Sequence, residues 1–336
     1  MVKFDFSPER DVPSLAGKVI LITGGEALAL ALALALALAL ALALAYDTTD
    51  IFFASGTAGI GAETILQLTP HNPAHIYFTG RNAKAAAAVE EKVKEVAPDA
   101  KLTFLSCDLA SLSHVKAATD QFLAINKEGR LDILICNAGI MALPPALTKD
   151  GYEIQFGTNH LGHALIIKKL LPSLLKTDGA RLIILTSLGF ILHPKGGIIF
   201  KDLKTTQDTG FMGSWARYAQ SKLANIVYTR ELARRYPTIT TVAVHPGITS
   251  TDLVNNLSLG HRAFIKAGAI IAGGYLTAAQ GAYNEVWAAT ADAAKVKSGE
   301  MYEPVGVLTK QLNNDAKSDE LAGKLWTWTE EQLEAF

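Results

Sequence analysis

Cysteine is almost missing from this chain: Cys107 and Cys136 are the only two in 336 residues. Both lie in apolar, strand-like runs, so a disulfide-stapled scaffold is excluded and a pair of buried thiols is expected, in a reducing, cytoplasmic setting. An excess of either charge is missing too. The 31 basic and 32 acidic residues leave a formal net charge of −1, scattered without a basic face, so no nucleic-acid footprint is present. Metal-ligand clusters are also lacking. The nearest spacing is "NHLGH", His160 and His163. With no carboxylate or cysteine companion, these read as packing and hydrogen-bonding residues of a helix, and no metal is expected.

Long hydrophobic runs are absent with one exception. Ala27 to Ala45 is a 19-residue alternation of Ala and Leu, at the lower edge of what spans a bilayer core. Both residues favour helix, and leucine at every second position points all ways round it. In isolation this is a membrane span. Its neighbours argue otherwise. "GKVILITG" before it reads as a strand entering a turn, without signal-peptide layout or flanking basic residues. "GTAGIGAETILQL" after it reads as a glycine turn opening a helix. Removing Glu26 to Gly56 joins Thr23-Gly24-Gly25 to Thr57-Ala58-Gly59-Ile60-Gly61, a Thr-Gly-x-x-x-Gly-x-Gly loop. The edges at Gly25-Glu26 and Ser55-Gly56 can be encoded as intron borders, and excision keeps the frame. Residues 26–56 are therefore read as a low-complexity insertion, a retained intron interrupting a glycine loop. A helix of the tract rises about 28 Å and ten extended residues return about 33 Å, so the fold itself tolerates the excursion. The transcript across this junction is the test: a genuine exon there would sink the reading.

The remainder alternates short strand-like runs with helix-length segments. The strands are "KVILI", "HIYFTG", "LTFLSCD", "LDILICN", "ARLIILTS" and "TTVAVHP"; four long segments between them, including "YEIQFGTNHLGHALIIKKLLPSLLK" and "WARYAQSKLANIVYTRELARRY", read as helices. This pattern predicts one α/β domain, a doubly wound parallel sheet of Rossmann type with helices on both faces. Ligands of such sheets bind beyond the carboxyl ends of the strands.

The chemistry-bearing residues follow the strands. Glycines let backbone N–H groups approach a pyrophosphate, and a helix starting near Ile60 directs its positive end at it. After the second strand, where a carboxylate would accept from a ribose 2′-OH, stand Arg81 and Asn82. The guanidinium fork suits a 2′-phosphate; a solvated loop arginine is the alternative. Then come "CDLAS" (Asp108, Leu109), "CNAGI" (Asn137, Ala138, Gly139), "TNHLGH" (Asn159), "ILTSLG" (Ser187), "YAQSK" (Tyr218, Lys222) and "HPGITST" (Pro246, Gly247, Ile248, Thr251).

In this order these motifs resemble the short-chain dehydrogenase/reductase family over nearly the whole chain outside the tract. The wording of "LDILICNAGIMA", "DGYEIQFGTNHLGH" and "YAQSKLANI" is most similar to its retinol-dehydrogenase and protochlorophyllide-reductase-like branch. The resemblance implies catalytic roles for Asn159, Ser187, Tyr218 and Lys222. Tyr218 would exchange the proton with the substrate oxygen. Lys222 would lower its pKa and hold the nicotinamide ribose. Ser187 would orient the carbonyl or alcohol, and Asn159 would support a water-linked proton path. It implies cofactor contacts at Gly24, Gly25, Thr57, Gly59, Ile60, Gly61, Arg81, Asn82, Asp108, Leu109, Asn137 to Gly139, Tyr218, Lys222 and Pro246 to Ile248 with Thr251. A tyrosine acting as a base near neutral pH needs about 4 kcal/mol of help. An ammonium about 4 Å away at an effective dielectric near 20 supplies that order of energy.

The expected function is thus an oxidoreductase interconverting an alcohol and a carbonyl on a small lipophilic substrate, with NADP(H) favoured and NAD(H) open. Lipophilicity rests on "LVNNLSLGHRAFIKAGAIIAGGYLTAAQ" after Pro246, although ordinary helix packing accounts for that composition equally well. The substrate is the expected partner; a homo-oligomer stays open, and membrane association is expected only through the tract. A non-catalytic dinucleotide-binding or scaffold protein is the competing class, with an inactive mis-spliced product and a tract-anchored enzyme behind it. An intact acid–base set argues against a pure binder.

Overall fold

The computed structural model describes residues 4–24, 59–208, 212–249 and 275–336. Its centre is a sheet ordered β3-β2-β1-β4-β5-β6-β7-β8. The strands are β1 (Val19–Thr23), β2 (His75–Gly80), β3 (Leu102–Ser106), β4 (Ile133–Cys136), β5 (Arg181–Leu185), β6 (Thr240–Val244), β7 (Met301–Glu303) and β8 (Val307–Leu308). All neighbours are parallel except the antiparallel β7–β8 pair. The six strand-like runs of the sequence are the first six strands. The expected insertion and the tract, residues 26–56, lie outside the described residues. Among the described residues no helix is long and apolar enough to cross a membrane.

Period-two alternation divides the strands between two cores. Val19 and Leu21 of β1 join Leu134, Leu182 and Ile184 on one face, under α3 (Leu112–Ile125), α4 (Gly162–Leu175), α5 (Gly213–Arg235) and α7 (Asp319–Gln332). Ile20 and Ile22 join Ile76, Phe78, Ile135, Ile183 and Val244 on the other, under α1 (Gly59–Leu68), α2 (Ala83–Val96) and α6 (Ala278–Thr290). Cys107 and Cys136 are free thiols within the first core. Burial pushes Cys107 up to about 12 and Cys136 further still.

The segment predicted as one helix from Tyr152 is interrupted. Ile154–Phe156 is helical, Gly157–Leu161 is a π-helical turn, and α4 follows. The turn carries Asn159, whose side chain bonds outside the helix. Gly162 opens α4 because a Cβ there would lie 2.7 Å from the Leu109 carbonyl oxygen; only glycine allows this approach.

Between α1 and α6 a carboxyl is buried without a countercharge in contact. Thr64 Oγ1 donates to Glu285 Oε2 at 2.9 Å, while Oε1 has no partner among the described residues. Burial raises the Glu285 pKa to about 8, against the opposing effects of the Thr64 bond and the Lys222 charge. A carboxyl whose folded pKa exceeds its ordinary value contributes stability that is complete below that ordinary value. The contribution is lost as pH rises through 8. Glu285→Gln, which keeps an acceptor for Thr64 and cannot ionise, is expected to remove this dependence. By denaturant titration the stability of the parent relative to the variant falls by a few kcal/mol, on the order of 1.4 per pKa unit, between pH 5 and pH 8. Parallel pH profiles would show that Glu285 is not held neutral.

Candidate active site

The carboxyl ends of β3, β2, β1, β4, β5 and β6 lie in a row, and the strand order reverses between β1 and β4. Residues distant in sequence meet at this crevice. Thr23 ends β1, and α1 starts at Gly59. Gly24, Gly59, Ile60 and Gly61 are described, with Gly24, Ile60 and Gly61 buried. Gly25, Thr57 and Thr251 lie outside the described residues.

Arg81 follows β2 directly and is half-buried; desolvation lowers its pKa while the Asp108 carboxylate at the end of the neighbouring strand acts the other way. Asn82 caps α2, its Oδ1 accepting from Ala85 N–H at 3.1 Å. Asp108 accepts from Ala110 N–H and pairs with Lys149 at 3.2 Å, and Leu109 packs against the start of α4. Asn137 to Gly139 follow β4, tied to β1: Thr23 Oγ1 accepts from Asn137 N–H at 2.8 Å and Ala138 N–H at 3.2 Å, and Asn137 Nδ2 donates to the Thr23 carbonyl at 3.0 Å. Pro246 to Ile248 follow β6, buried, with Gly247 at φ +85°, where a Cβ would also strike Leu276. Leu276 N–H donates to the Ile248 carbonyl at 2.7 Å. The apolar stretch after Pro246 lies mostly outside the described residues, from 250 to 274.

Asn159, Ser187, Tyr218 and Lys222 are all buried here. Tyr218 and Lys222 occupy successive turns of α5, and the Lys222 ammonium lies 5.7 Å from the Tyr218 ring centre. Ser187 ends the β5 run and caps the next turn, Oγ accepting from Gly189 N–H at 3.1 Å. A methyl on Gly189 would stand 3.3 Å from Ser187 Oγ and 3.5 Å from the Tyr218 ring. The serine oxygen and the phenol ring therefore border one small space. The Trp215 ring meets Tyr218 edge-on, centroids 6.3 Å apart.

Lys222 Nζ donates to the Leu185 carbonyl at 3.3 Å, and Thr186 Oγ1 donates to the Lys222 carbonyl at 2.8 Å. Burial lowers the Lys222 pKa to about 8, opposed by Glu285, so the ammonium persists near neutral pH. Asn159 spends its whole side chain on positioning. Oδ1 accepts from Ile140 N–H at 2.7 Å, and Nδ2 donates to the Ile140 carbonyl and to Ser221 Oγ, both at 2.9 Å. Ser221 Oγ donates to the Tyr218 carbonyl at 2.7 Å. The amide thus pins the loop after β4 to the helix of the tyrosine.

The sequence reading passed over Thr23, Thr186, Ser221, Asn225 and Arg217. Arg217 is buried beside Tyr218; it donates to the Gln207 and Leu143 carbonyls at 2.9 and 2.8 Å and pairs with buried Glu153 at 3.2 Å. Thr23 opens the glycine loop, Thr186 precedes Ser187, and Arg217, Ser221 and Asn225 lie in or beside "YAQSK", but no local pattern gives their hydrogen-bond partners. The spacing of "NHLGH" was a signal, and both histidines are buried in hydrogen bonds.

Along the crevice lie a half-buried guanidinium after β2, the start of α1 near the end of β1, and a buried Ser/Tyr/Lys set after β5 and on α5.

Comparison with known proteins gives consistent results. The family model described as short chain dehydrogenase matches residues 49–261. Its match begins beyond the Ala-Leu run, although β1 is paired in the middle of the sheet. The short-chain dehydrogenase/reductase drtF of Aspergillus calidoustus is 35% identical over 340 residues, covering 96% of this chain and 95% of its own. Retinol dehydrogenase 11 of Homo sapiens is 30% identical over 279 residues, 82% of this chain and 83% of its own. The crystal structure of an uncharacterised protein from Mycobacterium paratuberculosis superposes with a TM-score of 0.67 at 26% identity, over 98% of this chain and 97% of that one.

Proposed function

This chain belongs to the short-chain dehydrogenase family and is an oxidoreductase acting on CH–OH groups, and from that premise we propose that it uses NADP(H) to interconvert an alcohol and a carbonyl on a small lipophilic molecule. The observation that carries the chemistry is the shared space between Ser187 Oγ and the Tyr218 ring, with the Lys222 ammonium behind it. When bound, the nicotinamide supplies or accepts the hydride. Tyr218 gives its phenolic proton to the carbonyl oxygen in reduction and withdraws it from the alcohol in oxidation. Lys222, charged near neutral pH, favours the phenolate and holds the ribose. Ser187 orients the substrate oxygen. Asn159 keeps the loop after β4 and α5 in register, so that substrate and cofactor sides stay aligned. The buried apolar ring of Trp215, which meets Tyr218 edge-on, supports a lipophilic substrate. A cytoplasmic location belongs to the same proposal, as does a functional form lacking residues 26–56, whose first glycine turn is continuous. Following NADPH absorbance across a panel of alicyclic, aliphatic and polar carbonyl compounds tests the substrate class; turnover confined to polar sugars would overturn it.

NADP(H) preference rests on Arg81, which directly follows β2 at the place where an acidic residue would accept from a ribose 2′-OH. Arg81→Asp replaces a bidentate donor by a second carboxylate near Asp108 and repels a 2′-phosphate. The ratio of kcat/KM for NADP(H) to that for NAD(H) is expected to fall by about tenfold or more, in line with loss of a charge-assisted hydrogen bond worth about 1.5–3 kcal/mol. Equal efficiencies with both cofactors in the parent would remove the basis for the preference.

A further inference from the structure

His163 lies outside the acid–base set yet touches both of its supports. Its Nδ1 is 3.0 Å from the Asn159 carbonyl oxygen, and its Nε2 is 2.9 Å from Thr23 Oγ1. A carbonyl can only accept, so Nδ1 carries the proton. Nε2 is then bare and must accept from the Thr23 hydroxyl. Among the described residues that hydroxyl has one other acceptor in range, the Ile135 carbonyl at the longer distance of 3.2 Å. With its proton directed to His163, Thr23 Oγ1 turns its lone pairs to the Asn137 and Ala138 N–H groups.

On the other side, the Asn159 carbonyl also accepts from Asn225 Nδ2 at 3.2 Å, and the same amide donates to the Leu185 carbonyl at 2.9 Å, where Lys222 Nζ donates as well. One unbroken run of hydrogen bonds thus leads from the last residue of β1, beside the first glycine of the cofactor loop, to the Lys222 ammonium.

We propose that His163 is a positioning residue, fixed as the neutral Nδ1–H tautomer, that ties the cofactor end of β1 to the Asn159 carbonyl and through it to Lys222. The inference rests on the oxidoreductase reading above for its purpose, but its geometry does not. Full burial pushes the imidazole pKa down to about 4; the Asn159 bond acts the other way and the Lys222 charge adds to the lowering. The other titratable groups facing it are Lys222 and His160. His160 is held neutral by burial, so neither supplies an anion that would stabilise an imidazolium.

The test uses the full 336-residue chain labelled with 15N-histidine and needs neither cofactor nor turnover. Long-range proton–nitrogen correlation at pH 5.5, 7 and 8.5 reports the tautomer of each ring; the His163 signal is the one lost in His163→Asn. Should that variant not fold, the signal is recognised by its displacement in Thr23→Val. The expected result is a neutral ring with Nε2 bare at all three pH values, and a change at Nε2 in Thr23→Val. An Nε2–H tautomer, or protonation within this range, overturns the proposal.

NADPH titrated into the same samples supplies the second arm. Thr23→Val and His163→Asn each raise the NADPH dissociation constant several-fold, and the double variant raises it no further. Additive losses would mean that the two residues act separately and would overturn the coupling. Absence of NADPH binding in every sample and also in the chain without residues 26–56 counts against the oxidoreductase reading, while the tautomer still decides the His163 geometry.

Discussion

Deleting residues 26–56 raises the affinity for NADPH by about tenfold or more over the full chain and abolishes its association with detergent. A pyrophosphate is held by backbone N–H groups that one short turn presents together. With β1 ending at Thr23 and α1 starting at Gly59, deletion leaves a turn of Gly24, Gly25, Thr57 and Ala58. In the full chain the sequence from Glu26 to Gly56 stands between the two halves, and each residue that must be ordered on binding costs about 1–2 kcal/mol of backbone entropy. Ordering a single residue at that cost already corresponds to about tenfold in affinity. The second effect comes from composition, since the run Ala27 to Ala45 holds no polar side chain to face water. Calorimetry with NADPH on the two chains, and detergent partitioning of each, read both effects. Equal affinities would mean that the tract loops out without touching the glycine turn.

In the chain without residues 26–56, Tyr218→Phe lowers kcat by roughly two to four orders of magnitude, the usual share of general acid–base catalysis. The NADPH dissociation constant stays within about twofold, a change of under half a kcal/mol. The substitution removes one proton donor and keeps the ring that Trp215 meets and Gly189 approaches. The buried wall of the site is therefore unchanged, and Lys222 still donates to the Leu185 carbonyl. Steady-state turnover alongside NADPH fluorescence titration separates the two effects. A variant with near-parental kcat would remove the phenol from the mechanism.

The first six strands and their burial on both faces follow from sequence pattern, because a short apolar run between helix-length segments needs no tertiary information, whereas the order of the strands in the sheet does. Val19 and Leu21 face one core and Ile20 and Ile22 the other, as the apolar run of β1 requires. The spacing of Tyr218 and Lys222 was equally legible, since one helical turn puts them on one face. Composition indicated buried free thiols at Cys107 and Cys136, and the strand-ending motifs indicated where a ligand lies in a sheet of this topology.

Tertiary structure alone decided what the polar residues between these motifs do. β7, β8, α6 and α7 were not read from the sequence: two strands of three and two residues carry too short a pattern to register. The predicted helix from Tyr152 is broken by a π-helical turn because Asn159 bonds to Ile140 and Ser221, partners 19 and 62 positions away. Glu285 looks like any helix-surface carboxylate until α1 covers it and Thr64 donates to it. His163 reads as a packing residue by spacing. Its contact with Thr23 spans 140 positions, and only closure of β1 against β4, with α4 laid across them, brings the two together. Local pattern encodes which face a side chain takes, whereas the identity of its hydrogen-bond partner depends on packing between elements remote in the chain.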